Sequence, residues 1–127
     1  MLVEYITMDE FSQQSFQIQS VFKQLFTDTF GIYEDYDGTI QYGYLTPDRI
    51  GLLTESQLRN FIEFRADSHI LKIEFDNGYN FELANHKHYN TLEQDLFKAY
   101  WQVAIKVAQD YLDKQFENYI NIKQNKQ

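Results

Sequence analysis

Apolar positions along Asn90–Asp113 recur at helical spacing and divide that stretch almost without exception. Leu96, Phe97, Tyr100, Trp101, Val103, Ala104, Ile105, Val107, Ala108, Tyr111 and Leu112 share one side; Asp95, Lys98, Gln102, Lys106, Gln109 and Asp113 share the other. The apolar arc spans about 200°, against roughly 100° for an ordinary surface helix. A helix of this kind needs cover on two sides, most simply from a sheet and from another helix. Asn90 or Thr91 is the expected cap, and Glu93 and Asp95 suit the positive end of the helix dipole. Past Asp113 the pattern shifts. Lys114 and Asn118 enter the apolar arc, while Phe116 and Ile120 enter the polar side. Either the helix ends there, or its stripe turns to meet something else, such as a second subunit touching Phe116, Tyr119 and Ile120.

The N-terminal half carries a second helical pattern. Met1–Ile6 alternates as a short edge strand, and Thr7 stands three residues before Glu10, a capping-box spacing. Phe11, Ile18, Val21, Phe22, Leu25 and Phe26 then gather into one arc, predicting a helix over about 8–28 that ends near Gly31 and pairs with the C-terminal helix. Thr54 and Gln57 repeat the capping-box spacing ahead of Leu58, Phe61 and Ile62, so a short helix over about 55–65 is expected, with a strand through 61–65 as the alternative.

Two hairpins complete the pattern. Ile32–Leu45 turns at Asp37-Gly38, and a two-residue loop pairs Tyr33 with Tyr42 and Glu34 with Gln41. The second hairpin is set by register. Leu71, Ile73 and Phe75 alternate with charged residues, as do Tyr79, Phe81 and Leu83 with polar ones. A two-residue Asn77-Gly78 loop sets core residues opposite polar ones. A three-residue Asp76-Asn77-Gly78 loop, with Gly78 left-handed, pairs Phe75 with Tyr79, Ile73 with Phe81, Leu71 with Leu83 and Lys72 with Glu82. The expected fold is therefore α+β: an antiparallel sheet of two hairpins packed on one face by an N-terminal and a long C-terminal helix. Residues 1–122 form one domain, and 123–127 a frayed tail.

Composition narrows the function classes. With 10 Tyr and 11 Phe in 127 residues, a packed core is available and disorder is confined to the ends. Without cysteine there is no disulfide, thiol chemistry or thiolate metal site. The sequence shows neither a cationic leader followed by an apolar run nor 18 consecutive apolar residues, so a cytoplasmic, membrane-free setting is expected. Phosphate-loop, dinucleotide, nucleophile-elbow and zinc-protease motifs are absent, and no cofactor is implied. Asp35-x-Asp37-Gly38 fails as a calcium loop, because Tyr33 and Tyr44 fall where carboxylates belong. His86-Lys87-His88 with Glu93 is a conceivable metal set, but a solvated approach to the long helix is the simpler reading.

Charge is the feature that points outward. The net charge is −8. Residues 1–38 hold seven acids against Lys23, whereas acids and bases balance beyond residue 91. A nucleic-acid backbone wants the opposite sign, while a basic protein surface is matched. Solubility alone also accounts for such a charge. The partner-binding residues are expected at Asp28, Tyr33, Glu34, Asp35, Tyr36 and Asp37. The sequence thus favours a non-enzymatic, acidic protein-binding module, of the inhibitor, immunity or phage-encoded antagonist kind. The alternatives are a small enzyme or ligand binder with a Tyr-lined pocket, and a structural subunit that oligomerises through its last helix.

Overall fold

The computed structural model of the protein describes residues 3–125. Its elements run α1 Met8–Ser12, α2 Phe16–Phe26, β1 Phe30–Glu34, β2 Ile40–Tyr44, α3 Glu55–Ala66, β3 Ile70–Phe75, β4 Tyr79–Leu83, β5 His88–Asn90 and α4 Leu96–Asn125. The fold is α+β with antiparallel strands, as the pattern predicts. The hairpins do not share a sheet, however. β1 and β2 stand alone, while β3 and β4 gain β5 as a third strand.

The wide apolar arc of α4 is covered as its width requires. Phe97, Tyr100, Trp101, Val103, Ala104, Val107 and Ala108 are buried against α2, α3 and the three-stranded sheet. Phe22 of α2 stacks on Phe61 of α3 at 4.3 Å between ring centroids and tilts against Trp101 at 5.2 Å. On the sheet side Phe81 meets Tyr100 edge-on at 5.0 Å. The helix starts later than expected. Asn90 belongs to β5, and Asp95 is the cap, its carboxylate accepting the Lys98 N–H at 3.1 Å. Thr91 is buried and donates its hydroxyl to the Tyr79 carbonyl at 2.6 Å, tying the β5 exit to β4. The helix also runs on past Asp113 to Asn125. Lys126 and Gln127, the rest of the expected tail, lie outside the described residues, as do Met1 and Leu2 of the expected edge strand. Of that strand Tyr5 makes a single bridge to Thr54.

The N-terminal helix is two helices. Thr7 and Glu10 form the expected capping box of α1. The chain then breaks at Gln13 and restarts at Ser15, whose hydroxyl accepts the Ile18 N–H at 3.2 Å. Gly31 lies within β1 and terminates nothing; the C-cap of α2 is Thr27. α3 spans the expected residues, and Gln57 reaches back to accept the Thr54 N–H at 3.0 Å.

Both turns have three-residue loops. In the second hairpin Phe75 pairs with Tyr79, Ile73 with Phe81 and Lys72 with Glu82, as expected. A bulge between Ile70 and Lys72 then moves Ile70, rather than Leu71, opposite Leu83. Ile70 is accordingly buried and Leu71 exposed. Asn77, at φ 59°, occupies the left-handed position expected of Gly78. Gly78, at φ 155°, is needed for space: a Cβ there would sit 2.2 Å from the Thr91 carbonyl oxygen. In the first hairpin the expected register is off by one. Tyr33 pairs with Gln41, Glu34 with Ile40, Ile32 with Tyr42 and Phe30 with Tyr44. The cause is the loop Tyr36-Asp37-Gly38. Gly38 takes φ 85°, its N–H donates to the Asp35 carbonyl, and the Asp35 N–H donates to the Thr39 carbonyl at 2.8 Å.

Candidate protein-binding surface

That one-residue shift decides which face of β1–β2 meets solvent. Residues two apart on a strand share a face, and the observed register sets Gly31 opposite Gly43, with Tyr33 opposite Gln41, on one of them. This is the inner face. A Cβ on Gly31 would approach Leu45 Cδ1 to 3.0 Å, so glycine lets the hairpin lie close to the body. Tyr33 is buried there beneath the Arg49 guanidinium, which stands 4.3 Å above its ring. Leu45 and Leu52 complete a small satellite core under the hairpin. Tyr33, expected among the partner-binding residues, is therefore turned inward and cannot meet a partner.

The outer face carries Phe30 and Tyr44, then Ile32 and Tyr42, then Glu34 and Ile40, in consecutive cross-strand pairs. Phe30 is 62% exposed, Tyr42 73%, and the Phe30 and Tyr44 rings meet edge-on at 5.6 Å. Tyr36 at the loop tip is fully exposed. The surface does not stop at the strand. A shallow depression of about 400 Å³ joins Phe30 to Leu25, Phe26 and Phe64, the last also 62% exposed. Large exposed apolar side chains scattered singly need no account, but a contiguous set on one face marks an interaction site.

Carboxylates rim this face. Asp28 lies at its base, in the left-handed region at φ 71°, and accepts the Tyr44 hydroxyl at 2.9 Å. That bond holds the phenol above its usual range. Glu34 shares the strand with Phe30 and Ile32, and Asp35 and Asp37 frame the tip. Asp37 accepts the Thr39 N–H at 3.0 Å, which lowers its carboxyl below the usual value. Among the described residues none of these four acids is in an ion pair. The structure thus brings Asp28, Glu34, Asp35, Tyr36 and Asp37 to one hairpin and its base and adds Phe30, Ile32, Ile40, Tyr42 and Tyr44, which sequence reasoning missed. The signal for them was the loop: the three-residue rule applied to the second hairpin gives the right register for the first.

The β2 strand also has an open edge. Bonded pairs at Asp35/Thr39 and Thr29/Leu45 imply, by the alternation of antiparallel ladders, that the Ile40 and Tyr42 N–H groups point away from β1.

Other candidate chemistry is weaker. Among the described residues no three His, Cys, Asp or Glu side chains converge as a metal ion requires. His86 sits in a turn at φ 71° and His88 opens β5, so neither stands at the start of α4. A groove of about 790 Å³ lies between the end of α3, β5 and α4, bordered by Tyr89 and Tyr111. Three of its polar groups satisfy one another; among the described residues, Arg65 Nε on its border is buried without a hydrogen-bond partner, and Lys114 and Glu117 are in no ion pair. Lys87 pairs with Asp110 at 2.7 Å, and the Tyr89 hydroxyl donates to the same carboxylate at 2.8 Å. Burial, with that bond, pushes the Tyr89 phenol up to about 12. Burial also raises the Asp110 carboxyl, but the bonds from Lys87 and Tyr89 outweigh it and hold the group below its usual range.

No helix among the described residues is long and apolar enough to cross a membrane. No protein-family model matches the chain, and neither a curated protein nor a solved structure does.

Proposed function

We propose that the protein is a non-enzymatic binding module whose β1–β2 hairpin docks on a basic protein surface. One observation carries the reading: five large apolar side chains share the outer face of a single hairpin, with four acids outside any ion pair among the described residues on it and at its base. Aromatic residues, Tyr above all, dominate the energetic centres of protein interfaces. Their faces accept Lys or Arg side chains, and an acidic rim steers a cationic partner and slows its escape. The free Ile40 and Tyr42 amides fit a partner that adds backbone contacts along the β2 edge. Inhibition of a nucleic-acid-binding protein is the activity most consistent with this charge, because such a partner presents the required basic surface. The groove at Tyr89 offers an enzyme or ligand binder less, since Lys87, Tyr89 and Asp110 in it already satisfy one another.

The test is a capture from the native host with wild type and two variants. Phe30→Ala with Tyr42→Ala should weaken binding of the captured partner by roughly thirtyfold or more. Glu34→Lys with Asp35→Lys should slow association and flatten its salt dependence, while the melting temperature holds or rises. A partner that binds both variants as it binds wild type would remove the hairpin from the interface.

A further inference from the structure

Beyond Leu112 the last helix leaves the body. Every residue from Asp113 to Gln124 is exposed, so about three turns of α4 stand largely in solvent, their first residues on the rim of the groove beside α3 and β5. An isolated polar overhang is ordinary; this one is amphipathic. Leu112, Phe116, Tyr119 and Lys123 follow a four-three-four spacing, with Ile120 beside them, the seam of a two-helix coiled coil. Phe116 is 63% exposed, Tyr119 54% and Ile120 37%. Lys123 lies over the Tyr119 ring at 5.4 Å, covering part of it with its stem.

We infer that this overhang pairs antiparallel with the overhang of a second copy, making the protein a homodimer. Charge selects both the occupant and the direction. The chain carries −8, yet the overhang is balanced, with Asp113 and Glu117 against Lys114 and Lys123. Copies that meet only through their overhangs bring neutral segments together. In the antiparallel sense the acidic bodies sit at opposite ends, whereas a parallel pairing sets them side by side. A two-fold axis between Glu117 and Asn118 packs Phe116 against the partner's Tyr119, and Tyr119 against the partner's Phe116. The same axis brings Asp113 within a turn of the partner's Lys123 at both ends, an opposite-charge pair. An overlap of about 12 residues is about 18 Å long and takes roughly 1,000 Å² from water in total, the lower end for a specific interface. An interface of that size belongs to the weak, transient class, and association in the micromolar range is expected.

Sedimentation velocity from about 1 to 100 µM tests this on the full chain. Wild type should pass from monomer to dimer across that range. Phe116→Glu should stay monomeric at every concentration with an unchanged melting temperature, because position 116 supports nothing in the body. Asp113→Lys and Lys123→Asp should each weaken the dimer several-fold, and the two together should restore it. A wild-type monomer throughout, or a Phe116→Glu protein that still dimerises, overturns the inference. A double charge swap that fails to restore the dimer overturns the antiparallel register.

Discussion

The two hairpins of this protein share a loop length and differ in what they bury. β1–β2 and β3–β4 both turn through three residues closed by glycine, and both alternate aromatic and polar positions. In β3–β4 the β4 side of the alternation is spent inward, while Leu71 and Phe75 of β3 stay exposed. Phe81 and Leu83 are buried under α4, and β5 covers the β4 edge. In β1–β2 the inward positions are Gly31, Gly43 and Tyr33, and the large residues face out. Glycine on the inner face lets a strand pair lie close to the body while contributing one large side chain, Tyr33, to the buried set. Most of its large apolar residues are then left exposed.

The sharpest break of this contrast is a truncation in each hairpin. Phe81→Ala should cost about 3–5 kcal/mol in urea unfolding, from lost burial and the cavity left against Tyr100. Phe30→Ala should stay within about 0.5 kcal/mol of wild type. Equal losses would mean that the first hairpin is core after all.

The turns differ in the same sense. Gly78→Ala meets the Thr91 carbonyl and a positive φ together, and should cost roughly 3 kcal/mol. Gly38→Ala has open space around it and only its φ of 85° to oppose it, for about 1 kcal/mol. Differential scanning calorimetry of the two variants ranks them; the reverse order would contradict the close packing assigned to the second turn.

A smaller effect sharpens the account of β5 and α4. The Asp110 carboxyl is held low in the folded state, so its contribution is present at neutral pH and is lost as pH falls through that lowered value. Asp110→Asn should therefore flatten the acid limb of the melting profile, by less than about 1 kcal/mol for so exposed a pair. At the other end the Tyr89 phenol is raised to about 12. The unfolded chain ionises first, and stability should fall as pH climbs from about 10 to about 12. A flat alkaline limb in that window would contradict the burial of Tyr89.

What the sequence made legible follows from where the physics was local. The two-sided apolar arc of α4, the capping boxes at Thr7 and Thr54, and the register at Phe75/Tyr79 were readable because neighbours a few residues apart decide them. The break at Ser15 was harder, since Phe11 and Ile18 keep to one arc two turns apart, and only the polar run Ser12-Gln13-Gln14-Ser15 between them marks the interruption. β5 was missed because His88-Tyr89-Asn90 is too short to show a period, and its partner Glu82–Asn80 lies in another element. The bulge that hides Ile70 and frees Leu71 is set by packing on the body. At the candidate surface the acids were legible from charge alone. Tyr33 was misassigned, and Phe30 and Tyr42 overlooked, through one residue of register at Gly38.

If the first hairpin, and not the second, is the face that meets a partner, its outer residues should crosslink to that partner. A photo-activatable phenylalanine analogue placed at Tyr42, and separately at Phe75, tests it within the native host. Both positions are exposed, at 73% and 55%, and each lies in a hairpin of the same design. The account predicts a covalent adduct with a basic protein from position 42, lost when Glu34→Lys and Asp35→Lys are added, and none from position 75. Adducts from position 75 alone, or equally from both, would contradict it.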